Sequence, residues 1–350
     1  MKPSSNKSSN ALPTKNGHRG FLLLLFLALP LCFTACPGNG SKSNNSGGTG
    51  STPAASPSPA NASPKLAIDG ERAFAHVRKQ IEFGPRPAGS SELARTREYI
   101  VSELKSYGLN VTVDEWQAKT PIGERKMANV TAELPGESSD VIMLSSHYDT
   151  KFFKEFRFVG ANDGGSSTGA LLELARALAA QGKPRFTYWF AFFDGEEAFC
   201  ENWDDCKNPD GPDNTYGSRR YVQRLKENKE LKRLRAMILL DMIGYKNLEI
   251  PRDDMGTVWI NDIIWNTARE IGHSAQFVER EDSVEDDHVP FMQAGVECID
   301  IIQLGGYPYW HTAEDTLDKI SPQSLKIVGD VVLASLPRIE QRLLSKPASQ

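Results

Sequence analysis

Four short apolar runs constrain this chain more than any other feature: Val141–Ser145, Thr187–Phe193, Ala236–Leu240 and Cys298–Ile302. A strand with one face in water alternates apolar and polar residues, whereas a nearly unbroken run means that both faces are covered. Helical patterns fall around these runs. Phe74–Ile81 ends at Gly84-Pro85, Ser91–Tyr107 places Leu93, Tyr99, Ile100 and Leu104 on one face, and Thr168–Ala180, Ser218–Lys226, Thr257–Ile271 and Pro322–Leu343 follow. Asn110–Trp116 alternates as a strand, and Asn129–Leu134 is another. Buried strands separated by helices predict one α/β domain over residues 65–350, a three-layer αβα arrangement with a mixed, mostly parallel central sheet. There is no internal repeat.

The first 64 residues are of a different kind. Lys2, Lys7, Lys15 and Arg19 precede the apolar run Phe21–Phe33, which is too short to span a bilayer comfortably and suits the core of an export signal. It ends in Phe33-Thr34-Ala35-Cys36, which is similar to a bacterial lipobox, with lipid on Cys36; plain cleavage near Ala35 is the alternative. Residues 1–36 are therefore read as a signal peptide. Residues 37–64, rich in Gly, Ser, Asn, Pro and Ala, are read as a tether too poor in apolar surface to fold. The expected location is outside the cytoplasm, lipid-anchored to a membrane or secreted. Of the five cysteines, Cys32 and Cys36 belong to the signal. Cys200 and Cys206 could close a small disulfide in an oxidising compartment, and Cys298 reads as a core thiol. Past residue 64 the chain carries 35 basic and 45 acidic residues, a net −10 that argues against a nucleic-acid partner.

The chemistry gathers where the apolar runs stop. Val141–Ser145 leads into His147-Tyr148-Asp149, Thr187–Phe193 into Asp194-Gly195-Glu196-Glu197, Ala236–Leu240 into Asp241, and Cys298–Ile302 by a Gly/Pro loop into Trp310-His311. Gly160-Ala-Asn-Asp-Gly-Gly165 opens the Thr168 helix. A lone acid after a strand is usually a helix cap and a lone His usually structural. Four strand ends offering His, Asp, Glu-Glu and His exceed what capping explains, and mixed imidazole and carboxylate donors without thiolate point to zinc. Trp189 and Trp265 read as core, and Glu201, Asp204 and Asp205 as a solvated acidic loop. His288, beside Asp287, reads equally as a helix cap or as a functional residue.

These residues resemble the zinc aminopeptidase and animal-type glutaminyl cyclase family, from Phe83-Gly84-Pro85-Arg86 to the last helix. The aminopeptidase branch implies ligands His147, Asp163 (bridging), Glu197, Asp241 and His311, with Glu196 as base and Asp149 supporting His147. Other stretches resemble the cyclase branch: His147-Tyr-Asp-Thr-Lys151, Arg157-Phe-Val-Gly-Ala161, Phe192–Phe199, Tyr216–Arg219, Leu239–Gly244, Glu285–Phe291 and Trp310 before His311. That branch implies one zinc on Asp163, Glu197 and His311, a carboxylate network of Glu196, Asp241 and Asp286, and Trp203 and Trp310 at the substrate. One position departs: where animal cyclases carry a His eleven residues before the final zinc His, this chain has Asp300, which could tune the pocket or accept an amine.

Two activities follow from the resemblance. A glutaminyl-peptide cyclotransferase would convert the N-terminal Gln of a peptide to pyroglutamate with loss of ammonia, using one zinc. A di-zinc aminopeptidase would release the N-terminal residue. Both take peptide or protein N-termini as substrate. A binding lipoprotein that had lost the chemistry is disfavoured, because His147, Asp163, Glu196, Glu197, Asp241 and His311 are all present.

Overall fold

The computed structural model describes residues 67–203, 205–206, 208 and 211–345. The signal, the tether, Cys32, Cys36 and Asp204 lie outside the described residues.

Two helices come first. In α1 (Gly70–Phe83) the Asp69 side chain accepts from the N–H groups of Glu71 and Arg72. In α2 (Ser91–Ser106) Ser90 accepts from Leu93 N–H. Both are N-caps that satisfy donors left free at a helix start. Then follow β1 (Asn110–Thr120), β2 (Gly123–Leu134), β3 (Val141–His147), α3 (Gly165–Ala179), β4 (Thr187–Phe193), α4 (Tyr216–Glu227) and β5 (Leu234–Asp241). The chain ends with β6 (Ile250–Asp253), α5 (Val258–Glu270), β7 (Phe277–Asp282), α6 (His288–Gln293), β8 (Cys298–Ile302) and α7 (Pro322–Ser345).

Six strands form one sheet in the order β1-β2-β4-β3-β5-β8. The β1–β2 and β2–β4 pairs are antiparallel, and β4–β3, β3–β5 and β5–β8 are parallel. The sheet is mixed and mostly parallel, as expected. Its strands alternate faces with the period of two that a pleat imposes. Ile142, Leu144, Phe190, Ile238 and Ile299 face the core shared with α1, α3, α5 and α7, while Met143, Trp189, Met237, Leu239 and Cys298 face the core under α4 and α6. Apolar burial on both faces is why these strands carry no polar alternation.

Beyond the sequence reading, β6 and β7 form a separate two-stranded parallel sheet. β6 has four residues including Pro251, and half of β7 is exposed, so neither carries a usable period. Cys200 and Cys206 are joined by a disulfide and Cys298 is a buried thiol. Trp189 and Trp265 are core residues. Among the described residues no helix is long and apolar enough to cross a membrane.

Candidate metal centre and active site

The parallel strands β3, β4, β5 and β8 end on one edge of the sheet, where α/β proteins collect their ligands. His147 pairs with Phe193 and Asp241 with Ile302, so the segments leaving these strands emerge side by side. At the end of β3, His147 Nε2 lies 3.1 Å from Asp241 Oδ1 and 3.3 Å from Asp163 Oδ1. On the far side of Asp163, His311 Nε2 lies 3.5 Å from Asp163 Oδ2 and 3.3 Å from Glu197 Oε2. Asp163 thus stands between two donor triplets, His147/Asp163/Asp241 and Asp163/Glu197/His311.

Two carboxylates and an arginine hold this arrangement from behind. Asp149 accepts the N–H groups of Glu196 and Glu197, and its Oδ1 lies 3.5 Å from His147 Nδ1. Asp315 accepts the N–H groups of Asn162 (2.8 Å) and Asp163 (3.1 Å), and Tyr307 donates to it at 2.6 Å. Burial in this position raises the Asp315 carboxyl to about 7, against the pull of those three donors. Arg86 is fully buried and donates to the carbonyls of Tyr148, Val159 and Gly160, clamping the loop that delivers Asp163. Sequence reading included Arg86 and Asp315 in no site; their signal is visible only once the loop geometry is known.

Backbone conformation contributes as well. Gly164 has φ +68°, and a Cβ there would come within 2.7 Å of the Asp149 carbonyl and 2.8 Å of the His147 ring. His311 itself has φ +54°, a left-handed conformation costly for a residue with a side chain and characteristic of functional sites. Its ring lies against Trp310 at 4.1 Å and an interplanar angle of 22°, with Phe153 and Phe158 edge-on to it.

The electrostatics are those of acids crowded away from water. Burial, then the neighbouring Asp286, Glu197 and Asp287, push Glu196 well above its ordinary value against the opposing His147. Burial, then Asp241 and Asp287, do the same to Asp286. Burial would raise Asp163, but the two flanking imidazoles hold it low. Burial would lower His311, and Glu197 and Asp163 instead raise it to about 9. Such clustering of shifted acids is a mark of functional sites.

A cavity of about 290 Å³ opens over these groups and is lined by Asp163, Glu196, Glu197, Asp241, Asp286, Trp203, Trp310 and His311, with Glu201 and Glu285 among the remaining residues. Asp300 does not line it. That carboxyl is buried on β8 beside Asp286, and neither oxygen has a hydrogen-bond partner. On β8 it shares a face with Cys298 and Ile302 but lies two residues before Ile302, which does line the cavity, and it is buried beside Asp286. His288 opens α6 with both ring nitrogens unpartnered, Nε2 lying 3.8 Å from Asp253 Oδ2; it is not a side-chain cap.

No metal is part of the structure, so the fit of the donors is the test. Asp163 Oδ2 is buried without a hydrogen-bond partner, and its neighbours are imidazole nitrogen and carboxylate oxygen. An orphaned buried carboxylate oxygen facing imidazole is costly unless a cation sits there, and this donor set suits zinc.

The comparisons with known proteins agree with this geometry. The mouse protein named "glutaminyl-peptide cyclotransferase-like protein" is 30% identical over 281 residues, covering 72% of this chain and 71% of its own. The crystal structure of an Acidobacteriales bacterium glutaminyl cyclase is 38% identical with a TM-score of 0.75, over 82% of this chain and 100% of its own. A zinc-dependent exopeptidase from Parabacteroides distasonis is 26% identical with a TM-score of 0.70, over 77% of this chain and 98% of its own. The model of peptidase family M28 matches residues 129–336, a span that holds every residue of the site from His147 to His311, and the chain belongs to that family.

Proposed function

We infer that the protein is a glutaminyl-peptide cyclotransferase, which closes the N-terminal Gln of peptides or proteins to pyroglutamate and releases ammonia. The relatives above that bear this name support it, and the observation that carries it in this chain is the engagement of Asp241. Its Oδ1 is shared by His147 Nε2 and the N–H of Met242, which supports reading Asp241 as part of the hydrogen-bond network and Asp163, Glu197 and His311 as the set for one zinc.

When bound there, zinc supplies a Lewis acid that polarises the side-chain amide carbonyl of the substrate Gln. Trp203 and Trp310 line the cavity, and on this reading the Gln side chain enters there with its carbonyl carbon turned toward its own α-amine. The Glu196 carboxylate takes a proton from the attacking amine as the new N–C bond forms. It returns that proton to the side-chain nitrogen as the old C–N bond breaks and ammonia departs. Asp286, kept protonated by burial and by its acidic neighbours, donates a hydrogen bond to the carbonyl oxygen as that oxygen gains charge. Asp241 and Asp287 help to hold Asp286 in that state, and Asp149 orients His147 and both glutamates.

A metallopeptidase with two zincs is the second reading, supported by the His147/Asp163/Asp241 triplet. Incubating the purified protein with an N-terminal Gln peptide and, separately, an N-terminal Leu peptide decides between them. Ammonia and pyroglutamate from the first with little free leucine from the second is the expected result. Leucine released faster than ammonia overturns the cyclotransferase reading.

For the remainder of the chain we propose a signal peptide over 1–36, a tether over 37–64 and the catalytic domain over 65–350, with Cys36 lipidated and the enzyme held at a bacterial membrane outside the cytoplasm. Cys36→Ser is expected to move the protein from the membrane to the soluble fraction; unchanged fractionation overturns the anchor.

A further inference from the structure

Two glutamates at the mouth of the cavity are not used by the chemistry. The disulfide-closed loop brings Glu201 and Trp203 to one wall, and the segment before α6 brings Glu285 to the lining, which Trp310 completes. Both glutamates are exposed, and among the described residues neither is paired with a cation. Lys151 also lines the cavity, but it is buried and its ammonium donates to the carbonyls of Ala198 and Cys200. Trp310 is 45% exposed, an indole left in water at the edge of a charged site.

With the Gln side chain at the metal residues, the next residue of the substrate stands one chain step out, about 3.5 Å away, which is at this mouth. A long cationic side chain suits it. Its methylenes cover an indole face while its head reaches a carboxylate, and the ring quadrupole adds attraction for the charge. An acidic side chain at the same place meets two uncompensated carboxylates.

We propose that Glu201 and Glu285, with Trp203 and Trp310, make the enzyme selective for peptides whose second residue is Lys or Arg. The inference rests on the cyclotransferase reading and names the substrate class of that site.

The test compares kcat/KM for three otherwise identical peptides carrying Lys, norleucine or Glu after the N-terminal Gln, together with their Kd values on the zinc-loaded protein. The expected order is Lys, norleucine, Glu, with Lys over Glu by about tenfold at low salt and less at high salt, as partly screened charge pairs require. In the Glu201→Gln/Glu285→Gln double variant the Lys-to-Glu ratio is expected to fall within about twofold. Equal kcat/KM for the Lys and Glu peptides in the wild type, or an undiminished ratio in the double variant, overturns the proposal. If no Gln peptide is turned over, the cyclotransferase reading fails. The Kd values then decide the selectivity alone, equal affinities overturning it and tighter binding of the Lys peptide upholding it.

Discussion

Asp149 accepts the backbone N–H of Glu196 at 3.2 Å and, through its other oxygen, that of Glu197 at 3.4 Å. The same carboxylate faces His147 Nδ1 at 3.5 Å, so one side chain fixes both the turn that presents the two glutamates and the orientation of the imidazole. Supports of this kind matter nearly as much as the ligands they position. Asp149→Ala is expected to lower zinc affinity by about 10- to 100-fold, measured by competition with a chelator. Asp149→Asn, which keeps the shape and one acceptor, is expected to lose less. Unchanged affinity in the alanine variant would remove Asp149 from the support of the site.

Glu196 and Glu197 are adjacent but face different tasks. Glu197 meets His311, while Glu196 faces the Asp286 side of the cavity and its carboxyl is raised by burial and by that neighbour. A base must be deprotonated to work, so a raised value means that activity is lost as pH falls through it. The acid limb of kcat/KM is therefore expected above the ordinary glutamate value of about 4.3. Glu196→Gln is expected to cost at least about 100-fold in kcat and to flatten that limb while zinc content holds. Loss of zinc in this variant would mean that the two glutamates share or exchange their roles.

Arg86 has no contact with the cavity, yet it ties three carbonyls of the loop leading to Asp163. Burial lowers its guanidinium to about 10, which leaves it charged at neutral pH. Arg86→Met strands those carbonyls in the interior at a cost of about 3 kcal/mol or more. Denaturant unfolding of the zinc-free protein is expected to show that loss, and zinc titration a weaker site. A stability change under about 0.5 kcal/mol, the range of ordinary surface substitutions, would count against the clamp.

The Cys200–Cys206 disulfide closes the loop that carries Glu201 and Trp203, and Lys151 pins the start of that loop by donating to the Cys200 carbonyl. The metal ligands lie outside the ring. Cys200→Ser/Cys206→Ser is expected to raise KM for Gln peptides several-fold with zinc content and kcat near wild type, because the freed loop must be ordered again on binding. A fall in kcat with KM unchanged would show that the disulfide supports the chemistry.

The layering and much of the site could be read in the residues themselves. The runs at Val141, Thr187, Ala236 and Cys298 are apolar on both faces because both faces are covered, and a parallel sheet sends their ends to one edge. That is why His147, Glu196, Glu197, Asp241 and His311 converge although 164 positions separate the first from the last. Helix starts were less legible. α1 begins at Gly70, four residues before the first apolar periodic position, because its cap is Asp69. What sequence could not carry is support through non-local hydrogen bonds. Asp315 receives the N–H of Asp163 across 152 positions, and Arg86 reaches Gly160 across 74. Neither pairing has a period or a spacing. Position along the chain puts Asp300 at the pocket, whereas two residues short of the strand end it is buried beside Asp286 and Ile302 reaches the cavity instead.

The number of zincs is the sharpest remaining consequence of the geometry. Asp163 borders both donor triplets, so a second ion at His147 and Asp241 would have to displace the 3.1 Å hydrogen bond between them and the Met242 N–H on the same oxygen. The carboxyls of Glu196, Asp286 and Asp300 are all raised by burial and by acidic neighbours, which favours their protonated forms, and a divalent ion near them would compete with those protons. The expected stoichiometry is therefore about one zinc per chain. His311→Ala and Asp163→Ala are expected to abolish it, since each removes a ligand from a three-residue set. Asp241→Asn is expected to keep it while lowering kcat, because Asn still hydrogen-bonds His147 but no longer shapes the charge around Glu196 and Asp286. Metal analysis of the wild type near two zincs per chain, falling to one in Asp241→Asn, would overturn the single-metal site and move the balance to the aminopeptidase.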